Sequence, residues 1–320
     1  MLEGGRPELA GVPPTFAKRE RNCMTVEDET ITGDIRTTAV PVPLKIESKC
    51  IYDEEQLVKQ IAGNLEKYES QFPSFQGAYV HNDGNAILVG CGPSIESEEV
   101  KKSIRGQWQK GRPIFAIKGA HDWLIQEMSI IPDLCVFLDP QDHMIDRIQL
   151  AGQWPYTHRG VVYLLASQCS PKMFELLKKY KVVMWHALSN VGEKKLLKGR
   201  LMVGGGTTSG LRTFNLAYLM GFKRFHLYGF DSCNKDENSK YKRVNIHTGG
   251  DHAVKVIKVH SNGKDHWCNP AMAGQANEFQ DMIKMFGGDI RIKVYGDGLI
   301  SSLMEERKKN GIVDWNEGEE

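Results

Sequence analysis

The sequence predicts an α/β domain, a doubly wound and mostly parallel sheet, and three observations carry that expectation. Short, nearly continuous apolar runs recur along the chain, as at Ala86–Val89, Val161–Leu165 and Val182–Trp185, the signature of strands buried on both faces. Between them lie stretches of helical period, such as Pro171–Tyr180 and Ser209–Met220. Two of the runs end in glycine-rich turns, Gly90-Cys91-Gly92-Pro93-Ser94 and Gly204-Gly205-Gly206-Thr207-Thr208. Alternating strands and helices call for a parallel sheet covered on both sides.

Taken in order, residues 1–52 carry Gly, Pro, Thr and charge without periodicity and read as an extended arm. Residues 53–84 hold an amphipathic helix, Asp53–Ser70, with Leu57, Ile61, Leu65 and Tyr68 on one face, and a linker. Residues 85–310 form the main domain. Its strands are expected at Ala86–Val89, Pro113–Ile117, Leu134–Leu138, Val161–Leu165, Val182–Trp185, Leu201–Val203, Arg224–Tyr228 and Ile290–Tyr295. Helices are expected at Gly119–Met128, Pro171–Tyr180, Ser209–Met220, Ala271–Phe286 and Ile300–Lys309, and another opens directly after the first glycine turn. A polar insertion, residues 232–269, contains the hairpin signal Asn262-Gly263 and is placed like a lid. Residues 311–320 are an acidic tail.

Composition narrows the function. The 320 residues carry a formal net charge of +1, which gives no electrostatic reason to favour nucleic acid or an anionic membrane as the main partner. No apolar run approaches the ~18 residues of a membrane span, and no secretory leader is recognisable. Seven scattered cysteines without a Cys-x-x-Cys pair suit free thiols in a reducing, cytoplasmic setting.

Three sets of residues could carry chemistry, all at the C-terminal ends of expected strands, where open α/β sheets bind ligands. The first is Gly90, Cys91, Gly92, Pro93 and Ser94, a turn able to present N–H groups to a phosphate. Ile95 stands where a dinucleotide fingerprint has its third glycine, and the second strand ends at Ile117-Lys118 without a ribose-binding acid, which argues against a nicotinamide dehydrogenase. No P-loop occurs, and Glu96, Glu98 and Glu99 would repel a bare anion. Cys91 is a space-filler or, if exposed at a helix start, a thiol of lowered pKa. The second set is Gly205, Gly206, Thr207 and Thr208, either a second anion-receptive turn or tight packing with Ser209 as a helix cap. The two turns are expected to face one shared crevice. The third set is Asp139 and Asp231, which can orient an acceptor, ligate Mg²⁺ or merely cap the next turn. Histidines crowd the insertion region (His226, His247, His252, His260 and His266) without a zinc spacing; His252 and His260 are the candidates for a general base, against solvated loop residues.

Together, Val89-Gly90-Cys91-Gly92-Pro93-Ser94, Leu138-Asp139-Pro140, Gly205-Gly206-Thr207-Thr208 and Leu227-Tyr228-Gly229-Phe230-Asp231 resemble one family over about Asn85 to Leu303. It is that of the 6-hydroxymethylpterin pyrophosphokinase-like proteins and the motility-accessory-factor glycosyltransferases, more distantly similar to sialyltransferases with a Gly-x-Gly-Pro-Ser loop. The chain also resembles small intracellular or phage-encoded members. The resemblance implies a Rossmann-like domain that binds a nucleotide between the two glycine turns: a nucleotide-sugar donor, or ATP with Mg²⁺ held by Asp139 and Asp231. Cys91 stands where sialyltransferase-like loops have Asn, which counts against a cytidylate donor.

The leading expectation is therefore a nucleotide-dependent transferase, foremost a glycosyltransferase. Its acceptor (a sugar, protein, nucleic acid or small molecule) is unidentified, and a homo-oligomer is compatible. The alternative is a Mg²⁺-dependent pyrophosphokinase acting on a hydroxymethyl group. A third is a non-catalytic binding or assembly protein that keeps the fold.

Overall fold

The computed structural model describes residues 53–77, 84–148, 160–188, 191–236 and 256–310. The expected arm, His247, His252 and the acidic tail lie outside the described residues. The first element is α1 (Glu54–Tyr68), started by Asp53, whose carboxylate accepts from Gln56 N at 2.9 Å. Its buried residues include Leu57, Ile61, Leu65 and Tyr68, the face the periodicity predicts, together with Asn64.

The main sheet is built from β1 (Asn85–Val89), β2 (Ile114–Ile117), β3 (Leu134–Phe137), β4 (Val162–Ala166), β5 (Lys181–Ala187), β6 (Met202–Val203), β7 (Arg224–Tyr228) and β10 (Arg291–Tyr295). All eight are parallel, in the order β10-β7-β1-β2-β3-β4-β5-β6. The intervening helices are α2 (Glu98–Gln109), α3 (Ala120–Met128), α4 (Pro171–Leu177), α5 (Val191–Leu196), α6 (Ser209–Leu219), α7 (Pro270–Phe286) and α8 (Leu299–Lys309). A separate antiparallel hairpin, β8 (Ile257–Ser261) and β9 (Lys264–Cys268), turns at Asn262-Gly263, both with positive φ as a tight hairpin turn demands.

The order reverses at β1. The chain moves outward from β1 through β2 to β6, and α6 then returns it across β1, β2 and β3 to place β7 on the other side. Every residue of β1 and β2 is buried, so burial on both faces selected the apolar runs. The core holds Trp185, Tyr163, Tyr228, Phe115 and Phe214 fully buried, each worth about 1.5–3 kcal/mol of hydrophobic transfer on the usual scale. Trp185 keeps its indole N–H satisfied on Leu164 O at 3.2 Å.

Two expectations change: helix α5 (Val191–Leu196) stands where none was read, and the helix after the first turn starts later. The first glycine turn does not open straight into an α-helix: Pro93–Glu96 is a 3-10 turn, and α2 starts beyond it, capped by Ser97. Proline at the first position and Ser97 three residues before Val100 give the chain two successive starts, and the second one nucleates the longer helix.

Candidate functional site

The reversal point lies between β1 and β7, and their carboxyl ends interlock. Gly90 N donates to Tyr228 O at 2.8 Å and Gly92 N to Gly229 O at 3.0 Å. A Cβ on Gly90 would stand 2.7 Å from Gly229 O, and one on Gly229, which has φ 67°, would stand 2.7 Å from Gly90 O. Two glycines are thus required for the backbones to pass, whatever ligand follows.

Asp231 closes this junction. Its Oδ2 accepts from Ser94 N at 2.8 Å, and Gly92, Gly296 and Gly298 each bring a bare Cα against its side chain. The carboxyl is 3% exposed and is raised above the usual carboxylate range, first by burial and also by the neighbouring Asp297, while bonds from Ser94 oppose the shift. Ser232, next in the chain, has a left-handed φ of 50°, an uncommon state for serine that marks strain at this edge.

Asp139 sits at the end of β3. Its Oδ2 is 3.2 Å from Lys118 Nζ, and its Oδ1 accepts from Gln141 N at 3.2 Å, so it both caps its own turn and pairs with a cation. Lys118 ends β2 with φ 52°. Helix α1 clasps the same region: Gln60 Nε2 donates to Pro140 O at 3.0 Å and Gln168 O at 2.7 Å, and Asn64 Nδ2 to Ser167 O at 2.8 Å and Cys169 O at 2.7 Å.

Cys91 does not have the lowered pKa of an exposed helix-start thiol. The residue has exposed surface, yet Sγ turns inward to Ile117 O at 3.6 Å; burial pushes the thiol up, with Lys118 and Arg147 pulling the other way. No helix begins at Cys91 to lower it, because of the intervening 3-10 turn.

The second turn follows β6. Gly205 and Gly206 have φ 84° and 72°, and a Cβ on Gly206 would fall on Leu211. Thr208, not Ser209, caps α6, accepting from Leu211 N at 3.2 Å. Thr207 donates twice to one oxygen of Glu278 on α7, from N at 2.9 Å and from Oγ1 at 2.8 Å. The turn thus already holds an oxyanion, in the form of a side-chain carboxylate. Both turns lie on the carboxyl edge of the sheet, connected through the segment Gly229–Asp231: Phe230 Cε1 is 3.2 Å from where a Cβ on Gly210 would stand.

The structure therefore brings Gly90, Cys91, Gly92, Pro93, Ser94 and Asp231 together, with Asp139 paired to Lys118 beside them and Gly205, Gly206, Thr207 and Thr208 reached through Phe230. His260 is elsewhere, exposed on β8 and 2.8 Å from Asp265 across the hairpin. That hairpin docks on α8 through Ser261–Glu306 at 2.7 Å and Asn262–Glu305 at 2.6 Å. His226 bonds Tyr295 OH at 3.0 Å, and His266 bonds Ser302 Oγ at 2.9 Å. Among the described residues no group of three or more His, Cys, Asp or Glu converges as for a metal ion. Sequence reasoning passed over Gly296-Asp297-Gly298, although a Gly-Asp-Gly at a strand end was there to be read; Glu278 and the backbone of Lys118 leave no sequence signal.

Glycine turns and a buried acid at the reversal point of an all-parallel sheet define a Rossmann-like α/β domain. Residues 56–237 match the family described as 6-hydroxymethylpterin diphosphokinase MptE-like, and the chain belongs to that family. The resemblance drawn from the glycine and aspartate motifs is borne out. A solved structure, the MAf glycosyltransferase from Magnetospirillum magneticum AMB-1, is similar in fold, with a TM-score of 0.58 and 14% identity over 76% of this chain and 37% of that one. The chain thus spans well under half of the length of that protein. No curated protein matches.

Proposed function

We propose that this chain is an ATP-dependent, diphosphokinase-like transferase acting on a hydroxymethyl acceptor. The observation that carries the reading is Asp231, a buried carboxylate of raised pKa at the sheet's reversal point, packed against Gly92, Gly296 and Gly298 and bonded to Ser94 N. A carboxylate tuned upward is a better proton acceptor near neutral pH than an ordinary one. In the proposed step the acceptor's hydroxyl oxygen bonds to the β-phosphorus of ATP. The bond from that phosphorus to the α,β-bridging oxygen breaks, AMP leaves, and the hydroxyl proton passes to Asp231. The family description favours this reading over glycosyl transfer, because the structural likeness speaks for the fold alone.

Of the two acids expected to meet a divalent ion, Asp139 shares its charge with Lys118, while Asp231 is buried, bonded to Ser94 N and takes the proton instead. Asp139 would suit an ion that comes with the phosphates and keeps most of its own shell, as Mg²⁺ does. When bound, such an ion would neutralise phosphate charge.

Thermal denaturation with ATP, AMP, UDP-sugars and CMP-sugars, with and without Mg²⁺, tests the reading. ATP at a hundred times its Kd should stabilise by about 2.7 kcal/mol. Stabilisation by sugar nucleotides in place of ATP would turn the assignment to glycosyl transfer, and no response to any of them would leave a non-catalytic binder. Gly204→Val serves as a steric probe of the second turn, since no atom lies within 4 Å of where its Cβ would stand.

A further inference from the structure

The first glycine turn raises a difficulty for an anion. The N–H groups of Gly90, Gly92 and Ser94 are all bonded within the protein, to Tyr228 O, Gly229 O and Asp231 Oδ2. Whatever negative charge is held beside β1 must be held by other donors.

Two cationic side chains stand next to this turn. Lys118 ends β2 in a left-handed conformation with φ 52°, locked by its N–H on Val136 O at 3.2 Å and by His121 N on its carbonyl at 3.1 Å. Its Nζ reaches across to Asp139 at the end of β3. Arg147 ends the 3-10 turn Asp142–Arg147 and lies over Gly119: its Cδ and Cys91 Sγ are each 3.7 Å from the point a Cβ on Gly119 would occupy. The arginine stem and the first turn thus lie on the same side of residue 119, both within van der Waals range of it. Lys118 and Arg147 both act electrostatically on the Cys91 thiol, so both charges are felt at the turn. Lys118 is balanced by Asp139, whereas Arg147 is exposed and makes no ion pair among the described residues. Of the acids that follow the turn, Glu96 ends the 3-10 turn and Glu98 and Glu99 open α2; all three are exposed, and Glu98 is turned to Lys101 at 2.9 Å.

We propose that Lys118 and Arg147 form a polyphosphate-binding pair at the carboxyl edge of the sheet, holding the substrate's phosphate chain through their side chains beside the first glycine turn. The inference rests on the nucleotide reading above and names the residues that bind the charged part of the ligand. Asp139 holds Lys118 extended in the free protein and is the group a phosphate oxygen displaces. Arginine supplies a planar fork of donors and lysine a mobile point charge, a combination suited to neighbouring phosphoryl groups.

Titration calorimetry without divalent metal, using tripolyphosphate, ATP and adenosine as separate probes, decides it. Arg147→Gln should weaken tripolyphosphate and ATP about tenfold and leave adenosine unchanged. Lys118→Gly, which accepts the left-handed backbone without strain, should do the same with the fold intact. Asp139→Asn should tighten tripolyphosphate binding, an effect of opposite sign that a merely structural role would not produce. If ATP binds the wild type and both cation variants equally well, the pair is refuted and the nucleotide reading stands. If tripolyphosphate binding depends on both cations while ATP gains nothing over it, the pair is upheld and the nucleotide reading fails. A wild type that binds neither ATP nor tripolyphosphate overturns both.

Discussion

At the scale of single residues, Asp231 and His186 show how burial acts on titration in opposite senses. Asp231 has its folded-state pKa raised above the ordinary 3.8, so folding disfavours its charged form. Its contribution to stability is greatest below that value and is lost as the pH rises through the folded pKa. Asp231→Asn should keep an acceptor for Ser94 N, melt at or above the wild type at pH 7, and lose that advantage in acid. Transfer activity should fall by two orders of magnitude or more (about 10²-fold) if the carboxylate takes the proton. A variant that is both less stable and fully active would count against the assignment. His186 on β5 is 2% exposed, and neither ring nitrogen has a hydrogen-bond partner. Burial, aided by Arg200 and opposed by Glu69, lowers its pKa from 6.5 to about 4. Here the folded state excludes the proton, so stability present at neutral pH is lost as the pH falls from about 6.5 towards 4, by on the order of 3 kcal/mol. His186→Leu should flatten the melting temperature across that window, and an unaltered profile would show that another group titrates there.

At the scale of elements, α1 behaves as part of the site's framework. Its apolar face follows from the spacing of Leu57, Ile61 and Leu65, but the residues that aim it are amides. Asn64, 1% exposed, satisfies two carbonyls beyond β4 at once. Asn64→Ala would leave Ser167 O and Cys169 O short of a donor in a buried place, so chemical denaturation should show a loss of about 2–4 kcal/mol. A loss below about 0.5 kcal/mol would mean that the apolar face alone positions the helix. The second glycine turn carries a similar lesson. Gly206 looks like a ligand-approach glycine in sequence, yet a side chain there would collide with Leu211, so its substitution perturbs the fold before any ligand is added.

At the scale of the whole molecule, the segments beyond the matched residues 56–237 close back on the family domain. Helix α7 delivers Glu278 to Thr207, and the Gly296–Gly298 loop packs against Asp231. Glu278→Ala should therefore strengthen binding of an anion at the second turn a few-fold, to be read from the ATP titration; weaker binding would make Glu278 part of the ligand's own shell.

The order of the strands and of every helix but α5, the buried face of α1, the hairpin at Asn262-Gly263 and the glycine-aspartate signature of the family were legible in the residues alone, because periodicity and turn chemistry are local properties. Which glycines serve packing, which donors are already engaged, and that Lys118, Arg147 and Glu278 converge on the two turns were decided only by the tertiary structure. Those groups lie far apart along the chain: the parallel order of the strands carries Lys118 and Arg147, which follow β2 and β3, to one edge, and α7 brings Glu278 to the second turn.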